Sequence, residues 1–218
     1  MFRDRADAAQ QLAKKLRRRT FRNPLVLAIP RGGVATGAVL ARELGADLDV
    51  VLARKLRAPY QPELAIGALS EAGEVYLNHH ADEALGITEE YLAEERQRQL
   101  GEIARRKRLF RQVKPQEPIA GRSVIVTDDG IATGSTMIAA LQMIKAQHAH
   151  ETIVAVPVAS PDRLVAVRQW CDEVVCLLAP ETFWAIGQFY RDFSQVEDEE
   201  VVEILREFAV STAKAASP

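Results

Sequence analysis

Val124-Ile125-Val126-Thr127-Asp128-Asp129-Gly130-Ile131-Ala132-Thr133-Gly134-Ser135-Thr136 is the stretch on which the fold of this 218-residue chain turns. Its first four residues are all β-branched and mostly apolar, which suits a strand buried on both faces. Two adjacent carboxylates follow where that strand emerges. Ala132 to Thr136 is then a small, hydroxyl-rich turn that leads into the apolar-periodic run Met137 to Ile144, which reads as a helix. Backbone N–H groups at a helix start, flanked by hydroxyls and without large side chains, make a site for a phosphate dianion. An Asp-Asp-Gly turn is often only a loop, and Thr-Gly-Ser is by itself a reasonable N-cap. Joined at this spacing, they suit a phosphorylated sugar, with acids on its hydroxyls or a bound metal and the turn on its phosphate.

The stretch resembles the phosphoribosyl pyrophosphate (PRPP) motif of type I phosphoribosyltransferases, and the resemblance covers Val124 to Thr136 in full. It implies an α/β fold in which a parallel, doubly wound sheet is flanked by helices, with a small hood or flap beside it. Asp128 and Asp129 would then hold the ribose 2′ and 3′ hydroxyls, and Gly130 with Ala132, Thr133, Gly134, Ser135 and Thr136 would cradle the 5′-phosphate. No Gly-Lys-Ser/Thr is present to form a Walker A loop, and no Gly-x-Gly-x-x-Gly follows a strand.

Upstream, Leu25 to Ile29 is a second buried strand that runs into Pro30-Arg31-Gly32-Gly33-Val34 and a small-residue helix over 35–44. The glycines let the backbone approach a ligand closely, and Arg31 offers a forked cation suited to phosphate. By the same resemblance, Arg31, Gly32 and Gly33 belong to the loop that holds pyrophosphate. After the apolar run 48–53, the basic, proline-punctuated stretch Arg54 to Glu63 is expected to be irregular. It resembles the family's mobile loop, which would make Lys55 and Arg57 the cations that meet the pyrophosphate. A solvated basic loop is the other reading. Residues 64–69 and 74–77, flanking Ser70-Glu71-Ala72-Gly73, form a hairpin pattern.

The strands and helices alternate along the chain as in a parallel sheet covered on both faces, and ligands of such sheets sit beyond the carboxyl ends of the strands. One phosphoribosyltransferase-like domain over 1–218 is expected, with the mobile loop and hairpin at 54–78, a helical insertion at 79–118, and an aromatic segment and helix at 180–218. Thr88 reads as the N-cap of a long, charged helix running to about Gln112, standing partly away from the core or against a second subunit. Its basic end, Arg105 to Arg108, reads as a solvated face, with reach to the substrate as the other reading. In Glu181 to Asp192 and Phe193, the densest aromatic segment, Phe183 and Trp184 are candidates for stacking on a planar base, and a cover for the edge of the core is the alternative.

A formal net charge of −2 gives no reason to expect nucleic acid or an anionic membrane as a partner. Cys171 and Cys176 read as reduced thiols of a cytoplasmic protein, since no signal peptide precedes the chain and no apolar run reaches the roughly 20 residues that cross a bilayer. The basic run Lys14 to Arg19 ends an amphipathic N-terminal helix, where the dipole favours cations. The histidine pairs His79/His80 and His148/His150 lack metal-ligand spacing and read as surface residues.

The resemblance implies transfer of the 5-phosphoribosyl group from PRPP to a nucleobase or related acceptor, with release of pyrophosphate. It further implies Mg²⁺ as cofactor, held by the substrate phosphates and by Asp128 and Asp129 directly or through water, and a dimer or higher homo-oligomer. A non-catalytic protein that senses PRPP or a nucleotide on the same fold is the alternative.

Overall fold

The computed structural model describes residues 1–77 and 87–215; His79 and His80 lie outside them. Elements follow in the order α1 (Arg5–Leu16), β1 (Leu25–Ala28), α2 (Gly32–Leu44), β2 (Asp47–Val50), β3 (Arg54–Ala58), β4 (Gln61–Leu69) and β5 (Val75–Leu77). After these come α3 (Glu89–Arg111), β6 (Ser123–Thr127), α4 (Ser135–Lys145), β7 (Glu151–Val158), α5 (Pro161–Arg168), β8 (Glu173–Leu178) and α6 (Asp198–Ala215).

Five strands form a parallel sheet in the order β2-β1-β6-β7-β8. The chain leaves β1 towards β2 on one side and leaves β6 towards β7 and β8 on the other, so β1 and β6 flank the topological switch point. Their loops diverge there and open a crevice beyond the carboxyl ends of the strands. β1 and β6 are fully buried along their length because both sheet faces are covered. One face packs on Met137, Leu141 and Ile144 of α4 and Leu164 and Val167 of α5. The other packs on Leu12 and Leu16 of α1, Leu40 of α2, and Val201 and Leu205 of α6. The N-terminal helix forms as expected, with Asp4 Oδ1 accepting from Asp7 N at 2.8 Å and Lys14 and Lys15 in its last turn.

Beside this sheet, β3, β4 and β5, from the residues expected to form a mobile loop and hairpin, make a small antiparallel sheet that stands as a hood over the main one. The stretch from Arg54 to Glu63 was expected to be irregular, and it is instead the β3–β4 hairpin, turning at Pro59-Tyr60 with Tyr60 at φ 63°. Leu56 and Ala58 point inward and are buried, alternating with Lys55 and Arg57, a period-two pattern that the basic side chains obscure. The second hairpin forms where expected, with the amide of Glu74 donating to Ser70 Oγ at 3.1 Å.

α3 also departs from expectation. Thr88 caps it, its Oγ1 accepting from Tyr91 N at 3.2 Å, but the helix lies along the hood rather than away from the core. The face it buries carries Glu95, Gln99, Ile103 and Phe110, spaced at helical intervals, and two of the four are polar. Glu95 Oε1 accepts from Arg57 N at 3.2 Å and from Gln99 Nε2 at 2.9 Å, and Tyr91 Oη donates to Arg57 O at 2.9 Å. At its end, Arg111 ties three elements together. It donates to Asp49 Oδ1 at 2.6 Å, to Val50 O at 3.1 Å, and by two nitrogens to the Glu71 carboxylate at 2.8 Å each.

Removing one partner of a buried ion pair leaves the other charge uncompensated, at a cost of about 3–5 kcal/mol. Arg111→Ala is therefore expected to lower Tm by roughly 10 °C, at about 2–4 °C per kcal/mol in a chain of this size. Arg108→Ala, on the exposed side of the same helix end, should stay within about 0.5 kcal/mol of the parent. Equal Tm values for the two variants would contradict the anchoring role.

Candidate active site

At the switch point, Ala28 of β1 pairs with Thr127 of β6, and Ile29 N donates to Thr127 O at 2.9 Å. The two loops that the sequence marked therefore emerge side by side. Pro30 and Arg31 are joined by a cis peptide bond, and α2 begins at Gly32. A Cβ at Gly32 would lie 1.9 Å from Asp129 Oδ2, and one at Gly33 would lie 2.9 Å from the Asp128 Cα. Both exceed any tolerable contact, so only glycine lets the first loop seat against the acid pair. On the other side, Gly134 takes φ 81° ahead of α4, whose Ile138 N donates back to Gly134 O at 2.9 Å. The amides at the start of such a helix have no intrahelical acceptor and face the crevice end.

Asp128 opens into a cavity of about 180 Å³ whose lining includes Pro30, Ala53, Arg54, Arg106 and Thr136. Asp129 is more deeply held. Its Oδ2 accepts from Arg5 Nε at 2.8 Å, and Tyr190 Oη donates to its backbone carbonyl at 2.6 Å. Arg5 also donates to Ser194 O at 2.7 Å and lies with its guanidinium carbon 4.0 Å from the Phe193 ring centre. Burial, with the neighbouring Asp129 charge, pushes the Asp128 carboxyl well above the usual carboxylate range. Burial raises Asp129 as well, opposed by Arg5. Burial and the Asp129 charge keep the Tyr190 phenol protonated, in keeping with its role as donor.

The remaining sequence candidates fall into three groups. Ala132, Thr133 and Thr136 are exposed along the 132–136 turn, Gly134 is buried and Ser135 is half-buried, while Gly130 packs so closely that a Cβ would meet Ile186 at 2.8 Å. Lys55 and Arg57 border a smaller cavity of about 60 Å³ with Arg54, Gln99 and Thr136. Arg31 reaches away to Glu197, 2.7 Å distant. Phe183 packs against Phe189, with ring centres 5.3 Å apart, and Trp184 is 86% exposed; neither borders these cavities.

Four residues that the sequence did not single out shape the site. Arg5 and Tyr190 brace Asp129, and Arg54 and Arg106 face the cavity with Asp128. Arg106 corrects the expectation of a uniformly solvated basic end for α3: Arg105 pairs with Asp198 at 2.7 Å and Arg108 is exposed, but Arg106 turns inward. Its signal was positional, three residues beyond the buried Ile103 and four before the buried Phe110. Among the described residues, no three His, Cys, Asp or Glu side chains gather as a metal-binding group, His148 and His150 are exposed, and no helix is long and apolar enough to cross a membrane. Cys171 and Cys176 are unbridged, and burial pushes the Cys171 thiol up to about 11.

A family model for the phosphoribosyl transferase domain matches residues 3–194. A Mycobacterium tuberculosis (strain ATCC 25618 / H37Rv) protein named "Putative phosphoribosyl transferase" is 41% identical over 217 residues, covering 98% of this chain and 49% of that protein. A second M. tuberculosis strain, CDC 1551, carries a protein with the same identity and coverage. The chain thus spans about half the length of the curated relatives it matches. The crystal structure of TT1426 from Thermus thermophilus is 42% identical, with a TM-score of 0.90 over 95% of this chain and 98% of that one. The chain belongs to the phosphoribosyl transferase domain family, and its parallel five-stranded sheet covered by helices on both faces is the α/β architecture expected from the sequence.

Because folding raises the Asp128 pKa above the ordinary 3.8, the folded state holds that proton more tightly than the unfolded chain. The carboxylate therefore weakens the fold increasingly as pH rises from about 4 towards neutrality. Asp128→Asn is expected to raise the Tm of the unliganded protein at about pH 7 by roughly 2–4 °C, the shift that about 1 kcal/mol gives, and to leave it little changed near pH 4. A lower Tm for the variant at neutral pH would contradict the burial argument.

Proposed function

We propose that this chain transfers the 5-phosphoribosyl group of PRPP to a nucleobase or related acceptor, releasing pyrophosphate. The observation that carries this reading is the convergence of the Pro30–Gly33 loop, the Asp128–Asp129 pair and the start of α4 on one crevice, where Asp128 shares a cavity with Arg54 and Arg106. Family membership supports the PRPP-dependent class of reaction. The acceptor and turnover itself belong to the proposal.

In the proposed reaction, the bond from ribose C1 to pyrophosphate breaks, and its electron pair leaves with the pyrophosphate oxygen. C1 develops oxocarbenium character, and a lone pair of the acceptor nitrogen forms the new bond as that nitrogen gives up its proton to solvent or to the departing pyrophosphate. Asp128 and Asp129 would orient the ribose through its 2′ and 3′ hydroxyls. The amides of the 132–136 turn would hold the 5′-phosphate, fixing the sugar at both ends. The backbone at Gly32 and Gly33, with Lys55 and Arg57, would meet the pyrophosphate.

Mg²⁺ fits this donor set: it binds through one or two carboxylates plus substrate phosphates, and a cation would relieve the crowded acid pair. When bound, it would neutralise charge on the leaving group, with Asp128 and Asp129 as its protein-side oxygens, directly or through water. Arg5, already on Asp129, would hold that carboxylate in place while Asp128 meets the ligand. Phe183 and Trp184 remain candidates for stacking on the acceptor base.

Pyrophosphate release from PRPP and Mg²⁺, measured across a panel of free nucleobases, tests the reading. At least one acceptor should drive release by the parent, and Asp128→Asn/Asp129→Asn should reduce it about 100-fold or more. PRPP binding without acceptor-dependent release would instead support the sensing protein.

A further inference from the structure

The helical insertion carries a feature that packing alone does not explain. α3 buries Ile103 against the hood and Phe110 in the main core, and the residue between them on that face is Arg106. Its Nε is buried and has no hydrogen-bond partner among the described residues. A buried donor without an acceptor is costly, and such groups call for an explanation in a ligand or a bound ion. Across the same cavity lies Arg54 of β3, whose Nε donates to Gln99 Oε1 at 3.1 Å.

We propose that Arg54 and Arg106 form a two-guanidinium clamp for the pyrophosphate group of the substrate, which makes the α3 insertion part of the binding site. The inference rests on the PRPP reading above and deepens it.

Three observations carry it. First, Arg54 and Arg106 both line the cavity that Asp128 and Pro30 also line, so a diphosphate there would touch the acid pair's edge and the loop expected to hold it. The cavity, about 180 Å³, far exceeds the roughly 10–15 Å³ that one water needs. Second, the two arginines lie close enough to act on each other's charge. Burial and then the nearby Arg54 lower the Arg106 pKa against the opposing charge of Asp198, and burial lowers that of Arg54, with Glu102 and Glu95 opposing the shift and Arg57 and Arg105 adding to it. Carboxylates offset part of this charge: Glu95 Oε1 accepts from Gln99 and from the Arg57 amide and Asp198 Oδ2 from Arg105, but Asp198 Oδ1 is buried without a hydrogen-bond partner among the described residues and Glu102 acts on Arg54. Third, Arg54 also lines the neighbouring cavity with Lys55 and Arg57, so the cations form one continuous wall. Guanidinium forks match the oxygen spacing of phosphate, and two of them bridge a diphosphate better than a single phosphate.

Calorimetric titration of inorganic pyrophosphate, ribose 5-phosphate and PRPP into the parent and into Arg54→Gln, Arg106→Gln and Arg106→Lys tests the clamp, with Tm measured for each. Both Gln variants are expected to bind pyrophosphate at least about 10-fold more weakly and ribose 5-phosphate within about twofold of the parent; Arg106→Lys should fall between. Unchanged pyrophosphate affinity, equal loss of both ligands, or no pyrophosphate binding by the parent would overturn it. PRPP binding that ignores Arg106 removes the clamp and keeps the PRPP reading. Pyrophosphate binding through Arg106 without PRPP binding keeps the clamp and removes that reading.

Discussion

Two carboxylates pressed together and taken largely out of water set the terms for this structure. Asp128 and Asp129 sit where β6 leaves the sheet, against backbone that tolerates no side chain at Gly32 or Gly33. Held this way, their charges destabilise the unliganded protein, as the upward shift of both carboxyls reflects. The fold answers for one of them: Arg5 comes from the first turn of α1, and Tyr190 and Phe193 come from beyond the last strand, to brace Asp129. Asp128 is left facing the cavity. The family match from residue 3 to 194 takes in both ends of this brace, and Arg5 itself donates to the carbonyl of Ser194.

The other wall of the crevice is built by the part of the chain that lies between β2 and β6. The hood and α3 form a small unit with its own core of Leu56, Ile66, Leu69 and Ile103, fastened to β2 by Arg111 through Asp49 and Glu71. This unit is rich in cations, and the parallel sheet contributes the acids. Opposed charge across a crevice suits a ligand that carries phosphates at one side and hydroxyls or a metal ion at the other.

How far these features could be seen in advance depended on whether the signal was local. The β6 motif and the β1 loop are each a strand followed by a turn, so composition and spacing within a dozen residues were enough to mark Asp128, Asp129, Gly32 and Gly33. Their meeting followed from the handedness and order of a parallel sheet. The β3–β4 hairpin was hidden because Lys55 and Arg57 occupy the outward positions of a short strand, and only Leu56 and Ala58 report its inner face. The packing of α3 was hidden for a related reason: Glu95 and Gln99 are buried through hydrogen bonds and do not add to an apolar stripe. Arg5 lies 124 residues from its partner, a pairing that no local pattern encodes. Within the aromatic segment, composition marked the cluster but did not separate Tyr190 and Phe193, which support the acid pair, from Trp184, which is exposed.

The most direct test of the acid pair as a PRPP site is calorimetric titration of PRPP with Mg²⁺ into the parent and into Asp128→Asn/Asp129→Asn. Saturable binding by the parent, lost in a variant that still folds, is the expected result. A folded parent that binds no PRPP, or a variant that binds it as tightly as the parent, would contradict the assignment of Asp128 and Asp129 to the sugar.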